Sequence, residues 1–158
     1  RVVVPTGDGN ILSGIWKGWC DLQAVGFIDT LPKLDSARAN RDTVADSISV
    51  IQPRDELAAE QAVAESGGET LVVPDEEILA AIPEIASATG VFAEPAAAAP
   101  WAALKRMVQN GVVDSDETVV CLVTGNGLKD VGGAAKVARQ AISTEASIDS
   151  LRSLSIWP

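Results

Sequence analysis

The sequence predicts an α/β domain: a layered, mostly parallel open sheet with helices on both faces. Three observations carry that prediction. Short β-branched runs without polar alternation stand at residues 2–4, 70–73 and 118–123, the pattern of strands buried on both sides. Stretches with apolar residues every three or four positions separate them, as in amphipathic helices. Two of the runs lead directly into glycine clusters, Thr6-Gly7-Asp8-Gly9-Asn10 and Thr124-Gly125-Asn126-Gly127. Strands alternating with helices of this length pair in parallel, because each crossover must return across the sheet.

The elements follow in order. Val2, Val3 and Val4 open the chain as a strand, and the cluster at residues 5–10 turns it. Ile11, Leu12, Ile15, Trp16, Trp19 and Leu22 then mark a helix that Gly26 ends. Residues 29–45 are polar, with Pro32 and scattered charges, and predict a loop holding at most one helical turn. Residues 47–51 predict a short strand. A helix over residues 55–66 uses Leu57, Ala58, Ala62 and Val63 and stops at Gly67-Gly68, before a strand at 70–73. Asp75 is an N-cap candidate, with Glu76 and Glu77 in the first turn where the helix dipole favours negative charge. Ile78, Leu79, Ile82 and Ile85 form the stripe of that helix. Pro83 should kink or split it, and Gly90 ends it. An alanine-rich helix runs from Glu94-Pro95 to about Gln109, with Pro100 as a break in its middle. Residues 118–123 form the clearest buried strand, and a last helix spans about 132–142. The tryptophans are packing residues, with Trp157 in the tail expected to be exposed.

Length and composition restrict the function. At about 100–200 residues per domain, 158 residues make one unit. Twelve Lys and Arg against 22 Asp and Glu leave a net charge of −10, which repels nucleic acid. The chain has no His, which removes Ser-His-Asp and Cys-His catalysis and any imidazole metal site. Cys20 and Cys121 lack CxxC spacing and are expected to be reduced, buried thiols, so no metal site is expected. No apolar run approaches the roughly 20 residues that cross a bilayer. A cytoplasmic protein is the default expectation. The opening Arg1-Val2-Val3-Val4-Pro5 reads as a strand cut at its start, with something upstream missing.

Ligands of open α/β sheets bind beyond the carboxyl ends of the strands, where both glycine loops lie. The first loop opens into a helix, whose N-terminus and turned amides can hold a phosphate or carboxylate without a basic side chain. It is not a Walker loop, because no GxxxxGKS or GxxxxGKT pattern is present, and not a dinucleotide fingerprint, because the third glycine would fall at position 12, which is Leu12. Gly7 and Gly9 can equally serve only a tight turn, and the Asp8 carboxylate would repel a phosphate unless it points away. Thr124 either caps a turn or meets a heteroaromatic nitrogen. Glu94 is either a charge at a helix start or an acid/base.

Read with their flanks, these loops resemble threonine synthase, a member of the tryptophan-synthase-β-like pyridoxal-phosphate enzymes of fold type II. The resemblance rests on residues 2–14, on Glu65-Ser66-Gly67-Gly68, on Asp75-Glu76-Glu77-Ile78-Leu79, on residues 90–96 and on Val123-Thr124-Gly125-Asn126-Gly127-Leu128-Lys129-Asp130. It implies the cofactor-bearing, large-domain part of such an enzyme, a C-terminal fragment spanning residues 1–158 as a single domain. It implies that Thr6, Gly7, Asp8, Gly9 and Asn10 cradle the phosphate of pyridoxal 5'-phosphate and that Thr124 meets the pyridine nitrogen. It also implies that Asn10 faces the phosphate of O-phosphohomoserine, which such enzymes convert with water to threonine and phosphate. Family members are often dimers, so a homodimer is an expectation.

Two departures qualify the match. The family's Schiff-base lysine stands in a Ser-x-Lys-Asp motif, and none of Lys17, Lys33, Lys105, Lys129 and Lys136 does, so this chain alone is expected to hold no catalytic residue and to be inactive. After Leu31-Pro32-Lys33-Leu34 a strand is expected to be missing, which would expose a sheet edge. Two alternatives stand beside this: a non-catalytic α/β module for a small anion or a partner, and a serine/threonine dehydratase. The dehydratases' phosphate loop is usually a run of glycines, and a serine or cysteine usually faces the ring nitrogen.

Overall fold

The computed structural model describes residues 1–138 and 142–154. Its sheet has four strands, β1 (Val2–Pro5), β2 (Leu34–Ala39), β3 (Thr70–Val73) and β4 (Val120–Cys121), all parallel in the order β3-β2-β1-β4. Its helices are α1 (Asn10–Ala24), α2 (Glu56–Ser66), α3 (Asp75–Thr89), α4 (Pro95–Gln109), α5 (Val131–Ala135) and α6 (Ile148–Ser153). Single 3-10 turns occur at Asp46–Ile48 and Gly127–Asp130.

Side-chain alternation along β1 assigns the two faces. Val2 and Val4 pack with Leu12 of α1 and Ala59, Ala62 and Val63 of α2. Val3 points into the larger core, formed with α3 and α4. Each buried valine contributes about 1.5–3 kcal/mol. The layered α/β class predicted from the alternation therefore holds, with helices on both faces. Ala97, Ala98, Ala99 and Ala103 of α4 are wholly buried, and their small side chains let this helix pack closely against α3 and all four strands at once.

The sequence reading needs correction between the first two sheet helices. Residues 34–39, read as loop, are the strand β2, which pairs β1 on one side and β3 on the other. No strand is missing between those two, so no edge opens there. Its sequence, Leu-Asp-Ser-Ala-Arg-Ala, hides the strand because, Leu34 apart, its buried positions are small or charge-paired, and none is β-branched. The strand expected at 47–51 is instead the 3-10 turn Asp46–Ile48.

Other differences are smaller. α3 runs unbroken through Pro83, which lies on the exposed side where water can serve the freed carbonyl of Leu79. α4 likewise continues through Pro100. Asp75 is the first residue of α3 rather than its cap; its carboxylate accepts from the Val44 amide and the Thr43 hydroxyl. The run 118–123 yields only a two-residue strand, because β4 pairs β1 alone and leaves Val120 and Val123 exposed. Cys20 and Cys121 are free thiols, half-buried rather than buried. Among the described residues no helix is long and apolar enough to cross a membrane. The helix expected over 132–142 is the short α5, which ends at Ala135, with a turn at residues 136–138; residues 139–141 of that span and Trp157 lie outside the described residues.

Candidate functional site

The carboxyl end of β1 delivers the chain into the loop Thr6–Gly9, and α1 begins at once. Gly9 occupies the position before the helix with φ +97°, a conformation that only glycine adopts without strain. A Cβ there would lie 2.7 Å from the Asp55 carbonyl oxygen and 2.9 Å from Ala59 Cβ, so the loop is also locked against α2. Gly7 is nearly as confined, between Ile48 and Val50.

This loop forms one wall of a cleft of about 330 Å³. The 3-10 turn at Ser47 and Ile48, the start of α4 at Glu94 and Ala96, and the loop residues Thr124 and Lys129 form the rest. All six residues singled out from the sequence, Thr6, Gly7, Asp8, Gly9, Asn10 and Thr124, line this single space. The two glycine loops are 114 residues apart in the chain and meet because β4 lies directly beside β1.

Several polar groups of the loop are already committed. The Thr6 hydroxyl donates to the Val4 carbonyl (3.0 Å), and the Thr6 amide donates to the Ala37 carbonyl. One Asp8 carboxylate oxygen accepts from the Arg54 amide (3.2 Å), and the Asp8 carbonyl accepts from the Asp55 amide. The Asp8 carboxylate thus serves the segment leading into α2, which answers the repulsion raised by its charge. The amides of Gly7, Asp8, Gly9 and Asn10 differ. Among the described residues, none of the four donates to a protein acceptor. These four N–H groups stand beside the positive end of a 15-residue helix, where an anion is favoured.

The opposite wall is knitted from two segments. The Glu94 amide donates to the Gly125 carbonyl (3.0 Å) and the Gly127 amide to the Phe92 carbonyl (2.8 Å), around an antiparallel bridge of Ala93 and Asn126. A Cβ at Gly125 would overlap the Glu94 carboxylate, and one at Gly127 the Phe92 ring, so both glycines permit this contact. Thr124 is exposed to the cleft, and among the described residues its hydroxyl has no hydrogen-bond partner, so it caps no turn. Glu94 precedes α4 without capping it. Its buried carboxylate accepts instead from Lys129 Nζ at 3.2 Å, and Lys129 also donates to Ser47 Oγ at 2.8 Å. Lys129 and Ser47 escaped the sequence reading, because their meeting depends on a contact between loops 82 residues apart.

Comparison with known proteins agrees with this architecture. The family described as "Pyridoxal-phosphate dependent enzyme" matches residues 1–125. The threonine synthase of Methanocaldococcus jannaschii is 34% identical, over 96% of this chain and 43% of its own length. That of Mycobacterium leprae is 38% identical, over 84% of this chain and 41% of its own length. The chain thus spans about two fifths of these relatives. Among solved structures, Escherichia coli threonine synthase superimposes with a TM-score of 0.65 at 17% identity, covering 96% of this chain and 38% of that one. Maize serine racemase gives 0.58 at 17%, over 85% and 45%. At such identities the superpositions show a shared fold. The sequence matches go further, and by them this chain belongs to the pyridoxal-phosphate-dependent enzymes, within which it is similar to the threonine synthases.

Proposed function

We propose that this chain supplies the cofactor-phosphate and ring-nitrogen end of a threonine-synthase-like lyase acting on O-phosphohomoserine and water. The observation that carries this reading is the set of four unpartnered amides, Gly7 to Asn10, at the N-terminus of α1. A phosphate monoester matches them in charge and in acceptor capacity. Pyridoxal phosphate fits the rest of the cleft as well: the Thr124 hydroxyl is unpartnered and exposed to the same space.

Bound there, the cofactor supplies an electron sink for cleaving bonds at an amino acid's α-carbon. The residues of this chain bind and orient. The glycine-loop amides fix the phosphate, and Gly9 fixes the amides. Thr124 offers a neutral hydroxyl to the ring nitrogen; lacking a carboxylate's charge, it leaves that nitrogen unprotonated and moderates the sink. Asn10 is exposed at the first turn of α1, and in this reading it shares the substrate's phosphate. None of the chain's lysines serves as the covalent anchor. Lys17, Lys33, Lys105 and Lys136 are not among the residues lining the cleft, and Lys129 is engaged by Glu94 and Ser47.

Absorbance titration with pyridoxal phosphate and with phosphate-free pyridoxal tests the reading. Saturable binding of the phosphorylated form alone is expected, and borohydride treatment should label no single lysine stoichiometrically. Equal binding of the two compounds would overturn the phosphate-cradle assignment. Stoichiometric labelling of one lysine would overturn the statement about the anchor.

A further inference from the structure

The cleft contains an electrostatic contradiction. Its lining includes two carboxylates, Asp8 and Glu94, yet its amide array attracts an anion. Asp8 is engaged by the Arg54 amide, on the side of the segment leading to α2. Glu94 has no such outlet: its side chain is 4% exposed, and it is wedged against Gly125 on the wall carrying Thr124. A buried carboxylate facing a phosphate dianion across a cleft of this size weakens binding, because the site's walls screen poorly.

Lys129 is the single cation among the described residues that line the cleft. Its Nζ bridges Glu94 Oε1 (3.2 Å) and Ser47 Oγ (2.8 Å), spanning from the C-terminal glycine loop to the 3-10 turn. It also borders a second cavity of about 210 Å³ that shares Ser47, Glu94 and Ala96 with the first. The ammonium group thus sits at the junction of both spaces. It is 62% exposed as a side chain, so its charge acts on the cleft while Nζ stays bonded to Glu94 and Ser47.

We infer that Lys129 and Glu94 are opposed positioning residues for the anion site: Lys129 raises the cleft's affinity for phosphate, and Glu94 lowers it. This rests on the reading of the cleft as a phosphate site. The pair keeps that affinity moderate and makes it depend on ionic strength.

The two possible roles of the pair differ in sign. Were Lys129 only a mechanical clasp between loop and turn, Lys129→Gln and Glu94→Gln would both break it and both weaken binding. With opposed charges, Lys129→Gln weakens phosphate binding while Glu94→Gln strengthens it, each by about three- to tenfold, the size of one ordinary net polar contact. The double variant should return close to the wild-type value, and Lys129→Arg should retain it.

Calorimetric titration of the 158-residue chain with inorganic phosphate, and absorbance titration with pyridoxal phosphate, measure these affinities, with thermal unfolding run on every variant. Weaker binding by a folded Glu94→Gln overturns the inference and leaves the phosphate-site reading intact. If Glu94→Gln does not fold, Lys129 decides: equal affinity in Lys129→Gln and Lys129→Arg overturns it, and loss in the first alone supports it. Failure of the wild-type chain to bind either probe overturns the site reading, and the inference with it.

Discussion

Arg1 and Asp35 form a buried ion pair across the two central strands. Arg1 Nη1 donates to both carboxylate oxygens of Asp35, at 2.8 and 2.9 Å, and the two side chains are 2% and 0% exposed. Asp35 Oδ1 also accepts from the Glu69 amide ahead of β3, and Arg1 Nε donates to Glu117 Oε1 ahead of β4. One charge pair therefore ties together the entry ends of the sheet, opposite the cleft. Removing one partner strands the other charge in the interior. We expect Asp35→Asn to cost about 3–5 kcal/mol in urea unfolding, the range for a broken buried pair. Glu117→Gln should cost less, because Glu117 is 27% exposed and water can replace it. A loss at Asp35 no larger than that at Glu117 would show that the pair does not hold the strands.

Two glycines of one segment should respond in opposite directions to alanine. Gly9 has positive φ and no room for a Cβ, so Gly9→Ala should cost about 1–3 kcal/mol and abolish phosphate binding by displacing the loop. Gly14 lies inside α1 with nothing within 4 Å of an added Cβ. Gly14→Ala should stabilise the protein by about 0.5–1 kcal/mol through helix propensity and leave phosphate affinity unchanged. Chemical denaturation with parallel phosphate titration checks both arms. Equal destabilisation by the two would mean that helix propensity is not the deciding factor in α1.

These cases show what sequence reading can and cannot reach in this fold. β1 and the glycine loop were legible because a valine run and a glycine cluster are local signals, and the core confirmed the strand on both faces. β2 was not. Asp35 looks like a loop residue until Arg1 is seen to neutralise it, Ala37 is small where α4 packs close, and Ser36 is small on the opposite face, towards α2. β4 failed in the other direction: Thr118 to Val123 reads as buried, but burial needs a neighbour on each side, and β4 pairs β1 alone. Of the site, the residues on the glycine loops were legible. The Lys129–Glu94–Ser47 bridge was not, since no spacing rule links positions 47, 94 and 129.

Stability should also report on Glu84, which joins α3 to α4. Its carboxylate accepts from Lys105 Nζ (2.6 Å) and Trp101 Nε1 (2.8 Å), and these bonds, that of Lys105 foremost, hold its pKa below the ordinary carboxylate value. A lowered folded pKa stabilises the protein above the unfolded value and loses that contribution as pH falls through the folded one. The pair is solvent-exposed, so the contribution is well under about 1 kcal/mol. Urea midpoints of wild type and Glu84→Gln should therefore differ at pH 6 and converge as pH falls from about 4.5 towards 3. A gap that widens on acidification would contradict the assignment.

On the alkaline side the Cys121 thiol makes stability depend on pH. Burial, with a smaller contribution from the Asp35 charge, pushes its thiol up to about 11. The sulfur contacts the Pro100 carbonyl at 3.7 Å, in the interior of α4, so a thiolate there would face a carbonyl dipole with little water around it. The sign follows from linkage. Between the ordinary thiol value of about 8.5 and the folded value of about 11, the folded chain holds a proton that the unfolded chain has released. Rising pH across that window therefore favours unfolding. We expect the stability of wild type relative to Cys121→Ala to fall as pH rises from about 8.5 to about 11, and to be level between pH 6 and 8. At pH 8 the folded thiol should also react with iodoacetamide far more slowly than in urea, because the thiolate is the nucleophile. Rapid alkylation of Cys121 in the folded chain at pH 8, located by peptide mapping, would show that β4 opens to solvent and that the edge of the sheet is not held as described.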